Sequence, residues 1–199
     1  MSDTGLRRLS FFLDNVMSME LRIDGIVLRP WREDDAAAVY AACQDAEILR
    51  WCPGIPRPYT RDDAQAFVAG TIGLGPHQLA VTEEGRVVGS IGIGVDDSET
   101  GHVGYWHDSR TGHLGYWCAA EARRRGITTL ALRALCRYGY DELALERLEL
   151  VTDPDNLASQ RVAEKVGFRR EGVLRSHLPH PDGRRRDSVM FSLLPGELR

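Results

Sequence analysis

The chain has 199 residues, 43% of them hydrophobic and 27% charged, which suits one packed domain and excludes a disordered chain. A net charge of −4 excludes a general polyanion binder, so no nucleic acid is expected, and it suits cationic or amine-bearing partners. Cys43, Cys52, Cys118 and Cys136 form no C-x-x-C pair, no histidine cluster has zinc spacing and no apolar run spans a membrane, so the expectation is a reduced cytoplasmic protein without metal.

Residues 1–18 carry Arg7, Arg8 and a short apolar patch, Leu9 with Phe11 to Leu13. The patch is too short for a secretory segment. Residues 1–18 are read as an extension of unknown role, Met17 or Met19 as a natural start, and 19–199 as a single domain. Alternation predicts a strand pair at 21–23 and 26–29 around Asp24-Gly25, ended by Pro30. Asp34 and Asp35 open a helix with Ala36, Val39, Tyr40 and Cys43 on one face. A proline-dense loop covers 51–58. Thr60 then caps a second helix, with Asp63 three residues on and Ala64, Phe67, Val68 and Thr71 on one side. Residues 78–82 and 86–95 read as a hairpin around Glu83-Glu84-Gly85.

GHVGYW at 101–106 nearly repeats GHLGYW at 112–117, too little for a solenoid. Residues 96–111 are read as an excursion, its own small hairpin, with only the second copy in the central sheet. After a strand at 112–118 comes a short polar loop, then Arg123-Arg124-Arg125-Gly126. Ile127, Leu130, Ala131, Ala134, Leu135 and Tyr138 follow at helical spacing. A strand that runs through a basic, glycine-bearing loop into a helix start is an anion site. Cys118 beside it is read as a small buried hydrophobe, with a nucleophile as the alternative. Residues 147–151 alternate as a strand. Asp153-Pro154-Asp155-Asn156 ends it and caps a short helix with Ala158, Val162 and Val166 inward and Gly167 at its C-terminal end. Strands at 168–174 and 188–194 are joined by a connection containing Pro179, Pro181 and Asp182-Gly183. Arg184 to Arg186 suggest either local anion contacts or a solvated turn. The order of elements implies an α/β domain with a mixed, mostly antiparallel sheet.

These residues carry a family resemblance. GHLGYW at 112–117, with EARRRGITT at 121–129, resembles the acyl-CoA signature of the GCN5-related N-acetyltransferases (GNAT), and within them the RimJ/RimL-like branch that acetylates ribosomal-protein N-termini. A second segment, NLASQRVAEKVGF at 156–168, and an N-terminal one, IVLRPWREDD at 26–35, follow the same pattern, so the resemblance runs from about residue 20 to the end. A Rossmann reading fails because no G-x-G-x-x-G follows a strand.

The resemblance implies a GNAT fold and an acetyl-CoA-dependent N-acetyltransferase that moves an acyl group to a primary amine. It implies that Arg123, Arg124, Arg125, Gly126, Ile127, Thr128 and Thr129 form the loop whose amides hold the pyrophosphate of CoA. Two residues depart from the pattern: Arg124 stands where many members have glycine, and Thr128 where they have glycine or alanine. A strand that splays from its neighbour would pair Trp117, Cys118 and Ala119 with the pantetheine. Asn156 matches a CoA-contacting asparagine, with helix capping as its alternative. Many relatives protonate the departing thiolate with a tyrosine, where this chain has Ala163. The RimL-like branch uses a serine, matched by Ser159, for which capping chemistry is the alternative. For the base, that branch is thought to use a glutamate through water, and none lies at 112–118. His113 is the candidate there, because imidazole as a type titrates near neutrality. His102, His107 and Glu99 are the others. The acceptor side would be built from residues 51–59 and 177–186. Open readings are a protein N-terminal amine, a small amine such as an antibiotic or polyamine, or a non-catalytic CoA-binding regulatory module. Succinyl-CoA is an alternative to acetyl-CoA, and the chain is expected to be a monomer or homodimer.

Overall fold

A computed structural model describes residues 19–95, 110–180 and 182–199. Residues 1–18, read above as an extension, lie outside this set, and so does most of the excursion with Glu99, His102 and His107. Thr111, assigned above to the excursion, already belongs to the sheet.

Eight strands form one sheet in the order β1-β2-β3-β4-β5-β6-β8-β7. They are β1 (Leu21–Ile23), β2 (Ile26–Pro30), β3 (Gln78–Glu83), β4 (Arg86–Val95), β5 (Thr111–Cys118), β6 (Arg147–Thr152), β7 (Arg169–Pro179) and β8 (Arg185–Leu193). Every neighbouring pair is antiparallel except β5 and β6, which are parallel. The helices are α1 (Ala36–Ala42), α2 (Ala46–Trp51), α3 (Arg61–Val68), α4 (Ile127–Asp141) and α5 (Leu157–Val166).

Strand alternation sorts the two faces. On one, α4 and α5 bury Ile127, Leu132, Leu135, Ala163 and Val166 against Leu148, Leu150 and Phe191, with Tyr116 and Cys118 packed at the edge. On the other, α1, α2 and α3 close over Trp117 with Val39, Cys43, Ile48, Tyr59 and Ala64. Trp31 stacks on Trp117 with ring centroids 6.4 Å apart.

Several expectations are corrected. α2 lies where the sequence reading runs straight into a loop. Asp45 starts it by accepting from the Ile48 amide at 2.9 Å. α3 begins at Thr60 through the expected reciprocal cap with Asp63 but ends at Val68, short of Thr71. Leu132 and Cys136 are fully buried in α4, while Leu130 and Ala134 are only partly covered, so its apolar face is rotated by about one residue. In α5 Ala163, not Ala158, is buried, and the first turn exposes both Leu157 and Ala158. β7 runs past the expected end to include Pro179. It does so through a bulge at Leu174–Leu178, where Ser176 has φ 49° and donates its amide to Asp187 at 2.8 Å.

Gly167 ends α5 with φ 116°, and a Cβ there would meet the Glu197 carbonyl oxygen at 2.4 Å. The start of α1 is fixed by a buried ion pair. Arg29 donates to Asp35 at 2.6 and 2.9 Å, and the Arg32 amide donates to the same carboxylate at 2.8 Å. Burial alone would raise the Asp35 pKa, but Arg29, the Arg32 amide and their charges hold it below the usual range. A carboxyl lowered on folding stabilises fully above its unfolded value, about 3.9, and loses that contribution as pH falls through the folded value. Asp35→Ala leaves Arg29 buried and unpaired and is expected to cost about 3–5 kcal/mol in urea unfolding at neutral pH. A loss below about 1 kcal/mol would show that the pair does not hold the fold.

Candidate active site

Backbone pairing between β5 and β6 runs from Thr111↔Arg147 to Leu114↔Leu150 and then stops. Both strands continue, β5 to Cys118 and β6 to Thr152, so their carboxyl ends part like a fork. Each strand feeds a helix on the same face, β5 into α4 and β6 into α5. Two helix N-termini therefore converge on the opening between two parallel strands, a position that favours anionic ligands.

The loop between β5 and α4 is built to present backbone amides. Arg124 has φ 63° and Gly126 φ 83°, both left-handed. The first helical bond runs from the Leu130 amide to the Gly126 carbonyl at 3.0 Å. The amides of Ile127, Thr128 and Thr129 precede it and have no helical acceptor. A Cβ at Gly126 meets nothing within 4 Å, so the glycine is needed for its φ, not for space.

The three arginines divide. Arg123 donates through Nε to the Cys118 carbonyl at 3.3 Å and pairs with Asp45. Asp45 thus caps α2 and pins the loop, and the Arg123 hydrogen bond, with the Ile48 amide, holds its pKa low against burial. Arg125 donates to Glu83 at 2.9 and 2.7 Å. Arg124 is exposed, and its guanidinium has no carboxylate within salt-bridge distance among the described residues. The basic run therefore contributes one uncommitted side-chain charge, and the other two shape the loop.

On the second arm of the fork Asn156 caps α5, accepting from the Ser159 amide at 3.1 Å. The Ser159 hydroxyl is directed elsewhere: it lies 2.8 Å from the Tyr116 hydroxyl, so β5 and α5 are bridged across the gap. Tyr116 was not singled out from the sequence, because its partner lies 43 residues away and no local pattern links them. Burial pushes its phenol well above the usual range, partly offset by the Ser159 bond. The Cys118 thiol is also pushed up by burial, although it lies against the Thr128 hydroxyl and near Arg123. Its thiolate is disfavoured, which argues against a nucleophile.

His113 sits at the paired end of the fork, on the face of Trp117 and roughly 13 Å along the strand from it at 3.3 Å per residue. Its Nδ1 is 3.5 Å from Glu149 of β6, and its side chain is 44% exposed. Glu149 also accepts from Arg147 at 2.6 Å. The sequence reading found no glutamate on β5, and the parallel register supplies one from the neighbouring strand.

A cleft of about 590 Å³ is lined by Pro53–Arg57 on one wall and by His180 and Asp182 on the other. Cys52, next to its first wall, lies close enough to both Arg186 and Tyr116 to interact with them electrostatically. Among the described residues no group of His, Cys, Asp and Glu is placed to hold a metal ion, and no helix is long and apolar enough to cross a membrane.

The acetyltransferase (GNAT) domain family matches residues 26–169, well over half of the chain. The uncharacterized N-acetyltransferase YnaD of Bacillus subtilis (strain 168) is 26% identical over 164 residues, 81% of this chain and 89% of that protein. A GNAT-family acetyltransferase from Bacillus anthracis superposes with a TM-score of 0.74 at 25% identity, covering 88% of this chain and 98% of that one. Mycobacterium smegmatis RimJ, solved in complex with CoA-disulfide, gives 0.73 at 28% identity, covering 90% and 87%. The forked parallel strands, the glycine-bearing amide loop and these matches agree: the chain belongs to the GNAT acetyltransferase family, on its RimJ/RimL-like branch, and is an N-acetyltransferase.

Proposed function

We propose that acetyl-CoA binds in the fork between β5 and β6 and that its acetyl group passes to the amino terminus of a protein or peptide entering through the cleft. The observation that carries this reading is the end of pairing at Leu114↔Leu150 with two helix starts facing the gap. In this reading the amides of Arg124 to Thr129 hold the pyrophosphate, with Arg124 adding charge, while Arg123 and Arg125 keep the loop in shape. The edge at Trp117, Cys118 and Ala119 pairs with the pantetheine through the backbone groups left after the Ala119 amide bonds the Val88 carbonyl at 3.0 Å and the Cys118 carbonyl accepts from Arg123 at 3.3 Å, and Asn156 orients the start of α5 beside it.

The amine nitrogen attacks the thioester carbonyl, the C–N bond forms, and the C–S bond breaks. One proton must leave the amine and one must reach the thiolate. His113, paired with Glu149 roughly 13 Å along β5 from Trp117, is the proposed acceptor of the first and reaches the amine only through a chain of waters. Ser159 gives the second, held in place by the hydrogen bond it shares with the Tyr116 hydroxyl, and regains its proton from solvent when His113 releases its own. Four free cysteines support a cytoplasmic setting.

Saturating CoA is expected to raise the melting temperature, because ligand binds only the folded state. Gly126→Val forces a β-branched residue to φ 83° and is expected to remove that shift while the protein stays folded. A wild-type protein whose melting is indifferent to CoA contradicts the assignment.

Ser159→Ala is expected to lower kcat by about 10²-fold or more with CoA affinity within a few-fold, and Tyr116→Phe to lower it less. His113→Ala is expected to lower kcat/KM by about the same factor. Steady-state thiol release decides each: an unchanged kcat in Ser159→Ala reduces Ser159 to a contact, and an unchanged kcat/KM in His113→Ala removes that base.

A further inference from the structure

The cleft lined by Pro53–Arg57, His180 and Asp182 does not share the sign of the chain. The whole sequence carries a net −4. Residues 50–58, which include the first wall, hold Arg50 and Arg57 and no acidic residue. Residues 177–187, which include the second, hold Arg184, Arg185 and Arg186 against Asp182 and Asp187, with His177 and His180 besides. A cleft dominated by one sign of charge concentrates ligands of the other.

The hydrogen bonds decide which of these charges are balanced. Arg184 donates to Asp182 at 3.0 and 2.9 Å, and His180 Nδ1 lies 2.9 Å from the other carboxylate oxygen. The carboxylate in the cleft lining is therefore already neutralised. Arg186 pairs with Asp153 at 3.2 Å, and Asp187 accepts the Ser176 amide at 2.8 Å. Arg50 lies 4.3 Å over the Trp51 ring, whose Nε1 donates to Glu47 at 2.9 Å, so that corner carries both signs. Arg57 and Arg185 differ. Arg57 donates to the Leu49 carbonyl of α2, and Arg185 to the Ser176 and His177 carbonyls, both at 2.6 Å. Neither has a carboxylate within salt-bridge distance among the described residues. A carbonyl orients a guanidinium and leaves its charge uncompensated. Pro56 and Pro58 flank Arg57 and stiffen the backbone that carries it. Two oriented cations remain, Arg57 in the lining and Arg185 on the hairpin that bears the second wall.

We infer that this cleft binds a carboxylate side chain of the acceptor, so that the peptide reaching the fork carries an acidic residue close behind its reacting amine. The carboxylate takes the guanidinium N–H groups that Arg57 does not give to Leu49, in charge-assisted hydrogen bonds. Arg185 adds attraction from the hairpin. A lysine in the same place would face both cations with Asp182 already engaged, so the cleft selects against basic segments as well as for acidic ones. The net charge of the chain suits a cationic partner, and the local pairing reverses that sign where the acceptor enters. The inference rests on the peptide-acceptor reading above and adds the side chain that follows the amine.

The test uses alanine-based hexapeptide amides with one aspartate, asparagine or lysine at the second, third, fourth or fifth position, at low ionic strength. Transfer is followed by thiol release. Binding to the CoA-loaded protein is followed by fluorescence anisotropy of the same peptides labelled at the carboxyl end. The wild type is expected to favour aspartate over asparagine by about fivefold or more in kcat/KM at one or two positions, through KM, and to use lysine least. The ratio should shrink as salt is raised. Arg57→Gln keeps a donor for the Leu49 carbonyl without the charge and should cut the aspartate preference sharply. Arg57→Glu should reverse it in favour of lysine, and Arg185→Gln should reduce it in part. Both arginines are exposed, so the variants are expected to melt with the wild type. Equal use of the three side chains at every position, or a preference that survives Arg57→Gln combined with Arg185→Gln, would overturn the inference. So would variants that slow the aspartate and asparagine peptides by the same factor, which marks a structural role. The two readings fail separately. Aspartate-selective binding without transfer strikes the acetyl-transfer reading alone, and transfer without charge preference strikes the inference alone.

Discussion

The constraint on which the structure depends is the parting of two parallel strands. A sheet normally pairs every backbone amide and carbonyl of its inner strands, because a buried unpaired group is costly. β5 and β6 give this up after Leu114 and Leu150, deep inside an eight-stranded sheet. Such a gap is stable only if other groups span it or a ligand completes it. Here the Tyr116–Ser159 hydrogen bond spans part of it, and Trp117 is held on the opposite face by Trp31. The remaining freed edge is an extended backbone surface suited to pairing with an amide-bearing chain.

The rest of the architecture holds the fork open and charged in the right sense. Arg123 ties the end of β5 to the cap of α2, and Arg125 ties the loop to β3 through Glu83. These pairs are partly exposed, so their contribution to stability is small. Their effect is geometric: they hold a left-handed turn at Arg124 and Gly126 so that the first amides of α4 face outward. Leu132, Leu135, Leu148 and Phe191, all fully buried beneath, supply the hydrophobic stabilisation that offsets the unpaired strand ends.

Local pattern made much of this legible. The β3–β4 hairpin, the Thr60–Asp63 cap, the Gly167 helix end and the strand–loop–helix passage at 111–141 all follow from periodicity and capping chemistry. What escaped is non-local. Asp45 was available as a helix start, but six residues of α2 before a proline-dense loop give too little periodicity to stand out. The partners of Arg123 and Arg125 lie 78 and 42 residues away, so the sequence of the basic run does not show that two of its three charges are paired. Tyr116–Ser159 and His113–Glu149 exist only through the register of the sheet. Ala158 illustrates the opposite limit: it lies at helical spacing from Val162 and Val166, yet the first turn of α5 that carries it is exposed.

The central claim is that the fork is the acyl-CoA site, and hydrogen exchange reads it most directly. Amide exchange would be followed by peptide mass spectrometry with and without saturating acetyl-CoA. The account predicts new protection concentrated at residues 115–119, 124–129 and 156–159, the freed strand edge and the two helix starts. Protection elsewhere in the chain, with these three segments unchanged, would contradict it.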